Sequence, residues 1–164
     1  MSSLTIKEIP SGGFCLSSFL VIRQSGSPEK ILMGRINSEV PWDHIGALDE
    51  NRARIHSKRW MLPSCHLIYG ESPADAAKRI SREQIGMEVK VGTPSVLSDY
   101  YFPKAAGEAL HWDVCFVFES ELSKEKLGNG HLDCWKELEF VETKSLKNDE
   151  IARSHGDILR FVGL

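Results

Sequence analysis

The sequence is short of the features that would place it in several common classes. No CxxC pair occurs: Cys15, Cys65, Cys115 and Cys134 stand singly. A structural zinc site of the usual spacing is therefore not expected, and the thiols read as reduced. No apolar run reaches the ~20 residues needed to cross a bilayer. The longest early one, 14–22, is broken by Ser17-Ser18 and has no basic leader. That argues against a secretion signal, and for a cytoplasmic protein without a membrane partner. Basic excess is missing too. A net charge of −3 argues against general nucleic-acid binding and against an anionic membrane surface. Repeats and low-complexity tracts are absent.

What is present is ordinary for a globular chain. The 164 residues, 41% hydrophobic and 26% charged, fit one domain over 1–164 behind a lead-in at 1–13. At this length about 68–70% of the unfolded surface is normally buried, enough for a self-sufficient core.

The best-signalled stretch is WMLPSCHLIYGESPADAAKRISREQIGM, Trp60 to Met87. An apolar run breaks at Pro63-Ser64-Cys65, resumes through Leu67-Ile68-Tyr69 and turns at Gly70-Glu71. A helix follows. Ser72 suits the N-cap, Pro73 the first helical position, and Asp75 completes an [ST]-x-x-[DE] capping pattern. Gly86 supplies the left-handed residue that ends it. Arg79 and Glu83, four apart, are spaced to pair on one face.

Around this unit the chain reads mainly as strands. Apolar runs over 14–24 and 29–36, split by Ser25-Gly26-Ser27-Pro28, predict a hairpin. Gly34 in its second strand permits close backbone approach. The segment 37–58 reads as long and irregular. Its Trp42, Asp43 and His44 suit either stacking on a base or sugar, or pinning the loop. Extended structure is expected over 88–103, with a turn at 104–108. In the strand HWDVCFVFE, His111, Asp113, Cys115 and Val117 share one face, and Trp112, Val114, Phe116 and Phe118 form the expected core face. A polar connection over 122–129, open to one helical turn, ends in Gly128-Asn129-Gly130 and leads to a strand within 131–142. Spacing of Ile151, Ile158, Leu159 and Val162 predicts a helix over 148–162 capped by Asn148. Strands with helices on both faces make an α/β sandwich with a mixed sheet.

The 60–87 unit resembles the Nudix box, the motif of a superfamily that hydrolyses nucleoside diphosphates linked to another moiety. Glu71, Arg79, Glu83, Gly86 and Met87 match its pattern without a gap. Cys65 stands at its glycine, Ile80 and Gln84 at two of its glutamates, and Ser81 at an apolar position. Outer segments resemble the GDP-mannose mannosyl hydrolase branch. They are Leu32 to Arg35, Trp60 to Pro63, Tyr100-Tyr101-Phe102 before His111-Trp112-Asp113-Val114, and the ending NDEIARSHGDILRF. That branch also carries an aliphatic and a small residue where Ile80-Ser81 stand.

The resemblance implies the family's α-β-α sandwich and a nucleotide-sugar substrate. Mg2+ or Mn2+ is the implied cofactor, with Glu83, Glu71, Gln84 and Cys65 around it. Since Ile80 and Gln84 replace carboxylates, that metal is expected to be weakly held or absent. Arg35, His66 and Tyr101 are the implied substrate-binding residues, His131 the implied base and Glu83 its catalytic companion. A homodimer is implied by the resemblance alone. Two readings stand: a hydrolase with a degenerate metal site, or a non-catalytic module that binds a nucleotide or a protein. A cysteine nucleophile built from Cys65 and His66 is disfavoured, because neighbouring strand residues point to opposite faces.

Overall fold

The apolar alternation that opens the chain becomes a hairpin in the computed structural model. The structure describes residues 13–42, 45, 50–101, 110–127 and 132–164, the side chains of Glu50, Arg52 and Tyr101 apart. The expected lead-in, the 104–108 turn and the Gly128-Asn129-Gly130 loop thus lie outside the described residues, as do Asp43 and His44. Strand β1 (Gly13–Gln24) pairs antiparallel with β2 (Ser27–Ile36), the chain reversing at Gly26 with φ 79°. Both strands end within a few residues of the apolar runs 14–24 and 29–36.

Four further strands complete a six-stranded mixed sheet: β3 (Ser64–His66), β4 (Ser95–Tyr101), β5 (His111–Leu122) and β6 (Trp135–Glu142). The order is β4-β5-β1-β2-β6, with β3 against β1. Strand β1 runs parallel to β5 from Gly13/His111 to Gln24/Leu122, and the other pairings are antiparallel. On its other edge β1 divides its pairing. Ser17 to Phe19 pair with β3, and Arg23 and Gln24 with β2. Gly34 exchanges both backbone bonds with Met61, at 2.9 and 2.8 Å. A Cβ at Gly34 would lie 2.8 Å from the Glu137 carbonyl oxygen, so the expected close approach is real.

Helices cover both faces, as a mixed sheet buried on two sides requires. Helix α1 (Glu50–His56) and α2 (Pro73–Ile80) lie on one side, contributing Ala53, Ala76, Ala77 and Ile80 to a core with Leu20, Ile22, Leu32 and Phe118. After the short α3 (Lys124–Leu127), α4 (His155–Phe161) covers the other side, where Ile158 and Leu159 pack on Phe19, Val21, Ile31 and Met33. No helix of the described residues is long and apolar enough to cross a membrane.

Three expectations are corrected. The irregular segment 37–58 contains α1, and its Trp42 is buried edge-on against Trp135, which makes it a loop pin. The last helix is half the predicted length. Trp60 bonds to Glu150 and Ala152 across a parallel bridge to Ile151, so the chain stays extended there and enters α4 only after Ser154 at φ 67°. Finally, β5 does not divide into one core face. Trp112 is 41% exposed, whereas His111, Cys115 and Val117 are buried beside Phe118. Strict alternation holds for a sheet with one wet face, and this strand is covered on both.

Candidate active site

The turn and helix over 70–86 form as their sequence prescribes. Gly70 adopts φ 83°, and the Asp75 N–H donates to Ser72 Oγ at 3.2 Å. Pro73 begins α2, and Gly86 closes the helical stretch at φ 78°. Its last turn, Ser81–Ile85, winds as a π-helix, and its final carbonyls, like those at any helix end, need partners outside the helix. The Gln84 carbonyl accepts from Trp135 Nε1 at 2.6 Å, and the Glu83 carbonyl lies 3.8 Å from Cys134 Sγ. Leu132 also packs on Gly86. The lead-in to β6 therefore docks on the end of the box helix.

Ser81, at a position where the box pattern asks for an apolar residue, is buried. Its hydroxyl donates to the Met87 carbonyl at 2.7 Å and accepts from the Val89 N–H at 3.2 Å. Its residue type and spacing predict no role beyond a small substituent. Local polarity carries no signal for bonds that form only once the chain turns back.

Arg79 is the electrostatic centre of the site. Its Nε donates to Glu71 Oε1 at 2.8 Å and its Nη2 to Glu71 Oε2 at 2.9 Å, a two-point clamp. Nη2 also reaches the His66 carbonyl at 3.0 Å and Cys65 Sγ at 3.2 Å. The expected partner, Glu83, sits 3.7 Å from Nη1 and is half exposed. Burial works against the Glu71 charge, yet bonds from Arg79 and the Ile68 N–H hold its carboxyl below the usual range. The Cys65 thiol is pushed up to about 12 by burial, which Arg79 only partly offsets.

Gln84 is fully buried, and its amide is engaged at both ends. Oε1 accepts from the Ser64 N–H at 3.1 Å, while Nε2 donates to the Ser64 carbonyl at 2.7 Å. An amide can satisfy that donor and acceptor together, and a carboxylate cannot.

The remaining nominated residues scatter. Arg35 lies away from the box helix, its guanidinium 4.6 Å over the Trp60 ring and paired with Glu137 at 3.1 Å. His66 turns from Cys65 as expected and meets Cys15 Sγ at 3.4 Å. The Tyr101 backbone pairs with His111, and its side chain is outside the described residues, as is His131. The structure thus gathers Glu71, Glu83 and Cys65 around Arg79, sets Gln84 on Ser64 next to Cys65, and puts Arg35 elsewhere.

These donors do not fit a Mg2+ or Mn2+ cage. A hard cation wants several oxygen ligands. Of the four nominated groups, Glu71 is held by a guanidinium, Gln84 by the Ser64 backbone, and Cys65 offers a buried thiol. Glu83 alone presents an exposed carboxylate there.

The fold is that of the Nudix hydrolases. A MutT protein from Methanosarcina mazei Go1 is similar at a TM-score of 0.63 and 14% identity, with 94% of each chain covered. A Nudix hydrolase from Nitrosomonas europaea is similar at 0.59 and 13%, covering 89% of this chain and 86% of its own. A MutT Nudix hydrolase from Burkholderia pseudomallei gives 0.59 and 16%, over 90% and 96%. No protein-family profile matches the chain, and no curated protein matches its sequence. The likeness is therefore one of fold.

Proposed function

We propose that the protein is a slow hydrolase of the Nudix type, acting on a nucleoside diphosphate linked to another moiety, with a nucleotide sugar as the substrate class. The observation that carries this reading is Glu83, an exposed carboxylate beside Arg79 at the helix end where the chain following His131 docks. In this reading His131 is the general base and Glu83 assists it. Losing one electrostatic group from such a site commonly costs about 10²–10³ in rate. Turnover is accordingly expected to be far below that of a box with its full set of carboxylates.

The engagement of Gln84 by Ser64 favours a second reading, a module that binds the same ligand without cleaving it. One experiment separates the two. The purified chain is incubated with a panel of nucleoside diphosphate sugars, with and without Mg2+, while binding is followed by calorimetry and products by chromatography. Slow cleavage that Glu83→Gln abolishes supports the hydrolase. Saturable binding without product favours the module. Neither binding nor product across the panel would overturn both.

A further inference from the structure

A second group of metal-ligating side chains lies on the opposite face of the sheet from the box helix. In the parallel β1–β5 register Cys15 stands directly across from Asp113, and His111 is two residues earlier on the same face. One ligand atom from each of Cys15, His111 and Asp113 lies within 4.8 Å of the other two. His111 Nε2 is 3.2 Å from Asp113 Oδ1. Strand β3 adds His66, whose Nε2 is 3.4 Å from Cys15 Sγ. Cys15 and His111 are buried, and the Asp113 side chain is 26% exposed. Cys15 and His66 also line a cavity of about 180 Å3 with Phe14, Leu16, Tyr69 and Glu71.

We propose that Cys15, His111 and Asp113 form a binding site for a borderline divalent cation of the zinc class, with His66, in contact with Cys15, able to supply a fourth ligand once it moves towards the other two. The donor set selects the metal: thiolate and imidazole suit Zn2+ and are poor ligands for Mg2+ or Ca2+. Zinc bonds of about 2.0–2.3 Å at tetrahedral angles separate neighbouring ligand atoms by roughly 3.3–3.7 Å. The 3.2 and 3.4 Å separations already stand near that range, the Cys15–His111–Asp113 cluster needs to contract by about 1–1.5 Å at most, and His66 has to move towards His111 and Asp113. The site joins β1, β5 and β3 at the end of the sheet where β1 has no β2 partner. None of Glu71, Glu83, Gln84 and Cys65 is among its ligands, and His66 is the residue it shares with the box, through the bond from Arg79 to the His66 carbonyl.

The test uses the whole chain after treatment with a chelator and a reductant. Zn2+ titrated by calorimetry is expected to bind at one equivalent, and excess Mg2+ should not displace it. Co2+ in its place should show a thiolate-to-metal absorption band. Cys15→Ser should remove the band, and both it and Asp113→Asn should weaken affinity by more than about tenfold, the loss that removing even an outer-shell partner can cause. Cys134→Ser should bind as the parent does. Should Cys15→Ser fail to fold, alkylation of the parent chain decides: Zn2+ should slow labelling of Cys15 and not of Cys134. Absence of stoichiometric Zn2+ binding would overturn the proposal. So would affinity unchanged in Cys15→Ser and Asp113→Asn, or Cys15 labelling that Zn2+ leaves unaltered.

Discussion

Gln84 holds Ser64 by both of its backbone groups, accepting from the N–H at 3.1 Å and donating to the carbonyl at 2.7 Å. The bond pair ties the π-turn of the box helix to the first residue of β3. It also determines what a glutamate would meet at this position. A carboxylate oxygen placed where Nε2 sits would face the Ser64 carbonyl oxygen, and two acceptors at that spacing need a proton or a cation between them.

Gln84→Glu is therefore expected to destabilise the protein by about 1–3 kcal/mol at neutral pH, the usual cost of a buried polar group left unsatisfied. Burial would raise the new carboxyl above its unfolded value, so the deficit should grow as pH rises and shrink in mild acid. Mg2+ should recover part of the lost melting temperature in the variant and leave the parent unchanged. Thermal melts at two pH values, with and without Mg2+, check this. A variant as stable as the parent at every pH would refute the role given to Gln84.

The Arg79–Glu71 clamp supports a second prediction. Both side chains are mostly buried, with 10% and 13% exposure, so removing the cation strands a carboxylate in the interior. Arg79→Met should cost about 3–5 kcal/mol, and adding Glu71→Gln should return a good part of it. Because the Glu71 carboxyl is held low in the folded state, its contribution is present above the ordinary carboxylate range and disappears as pH falls. The acid limb of stability should consequently be flatter in the double variant. Urea denaturation from pH 7 downwards measures both effects. Additive costs in the cycle would show that the pair is not coupled.

His155 makes the third prediction, at the opposite face of the sheet. Its Nδ1 accepts from the Leu62 N–H at 2.9 Å, so the ring is neutral in the fold, and it packs edge-on against Phe19. Burial, helped by His56, pushes its pKa down from 6.5 to about 3. A base whose folded value is depressed contributes stability that is fully present above the unfolded value and is lost as pH falls towards the folded one. Between pH 7 and pH 5 the loss should be about 2 kcal/mol. In His155→Asn the pH dependence across this window should largely vanish, whatever the variant's stability at pH 7. Chemical denaturation at the two pH values decides, and an unchanged slope in the variant would exclude His155 as its source.

Much of the architecture was legible in the sequence because its signals are local. Ser72, Pro73 and Asp75 start a helix through bonds to residues three or four positions away, and Gly86 ends it through its own backbone freedom. The first hairpin and the alternating strands are read from near neighbours in the same way. These local signals reach an α/β sandwich, the resemblance of the 60–87 unit to the Nudix box implied the Nudix fold, and the sheet topology and the likeness to solved structures agree. What only the tertiary structure decided joins residues far apart in the chain. Ser64 meets Gln84, Glu71 meets Arg79, and Cys15 gathers His66, His111 and Asp113. Trp60 likewise takes Ile151 out of the helix that its own spacing suggested. Side-chain periodicity specifies which residues share a face, but strand register specifies which of them touch. That register is set by the parallel pairing of β1 with β5, about a hundred residues away, and no local pattern encodes it.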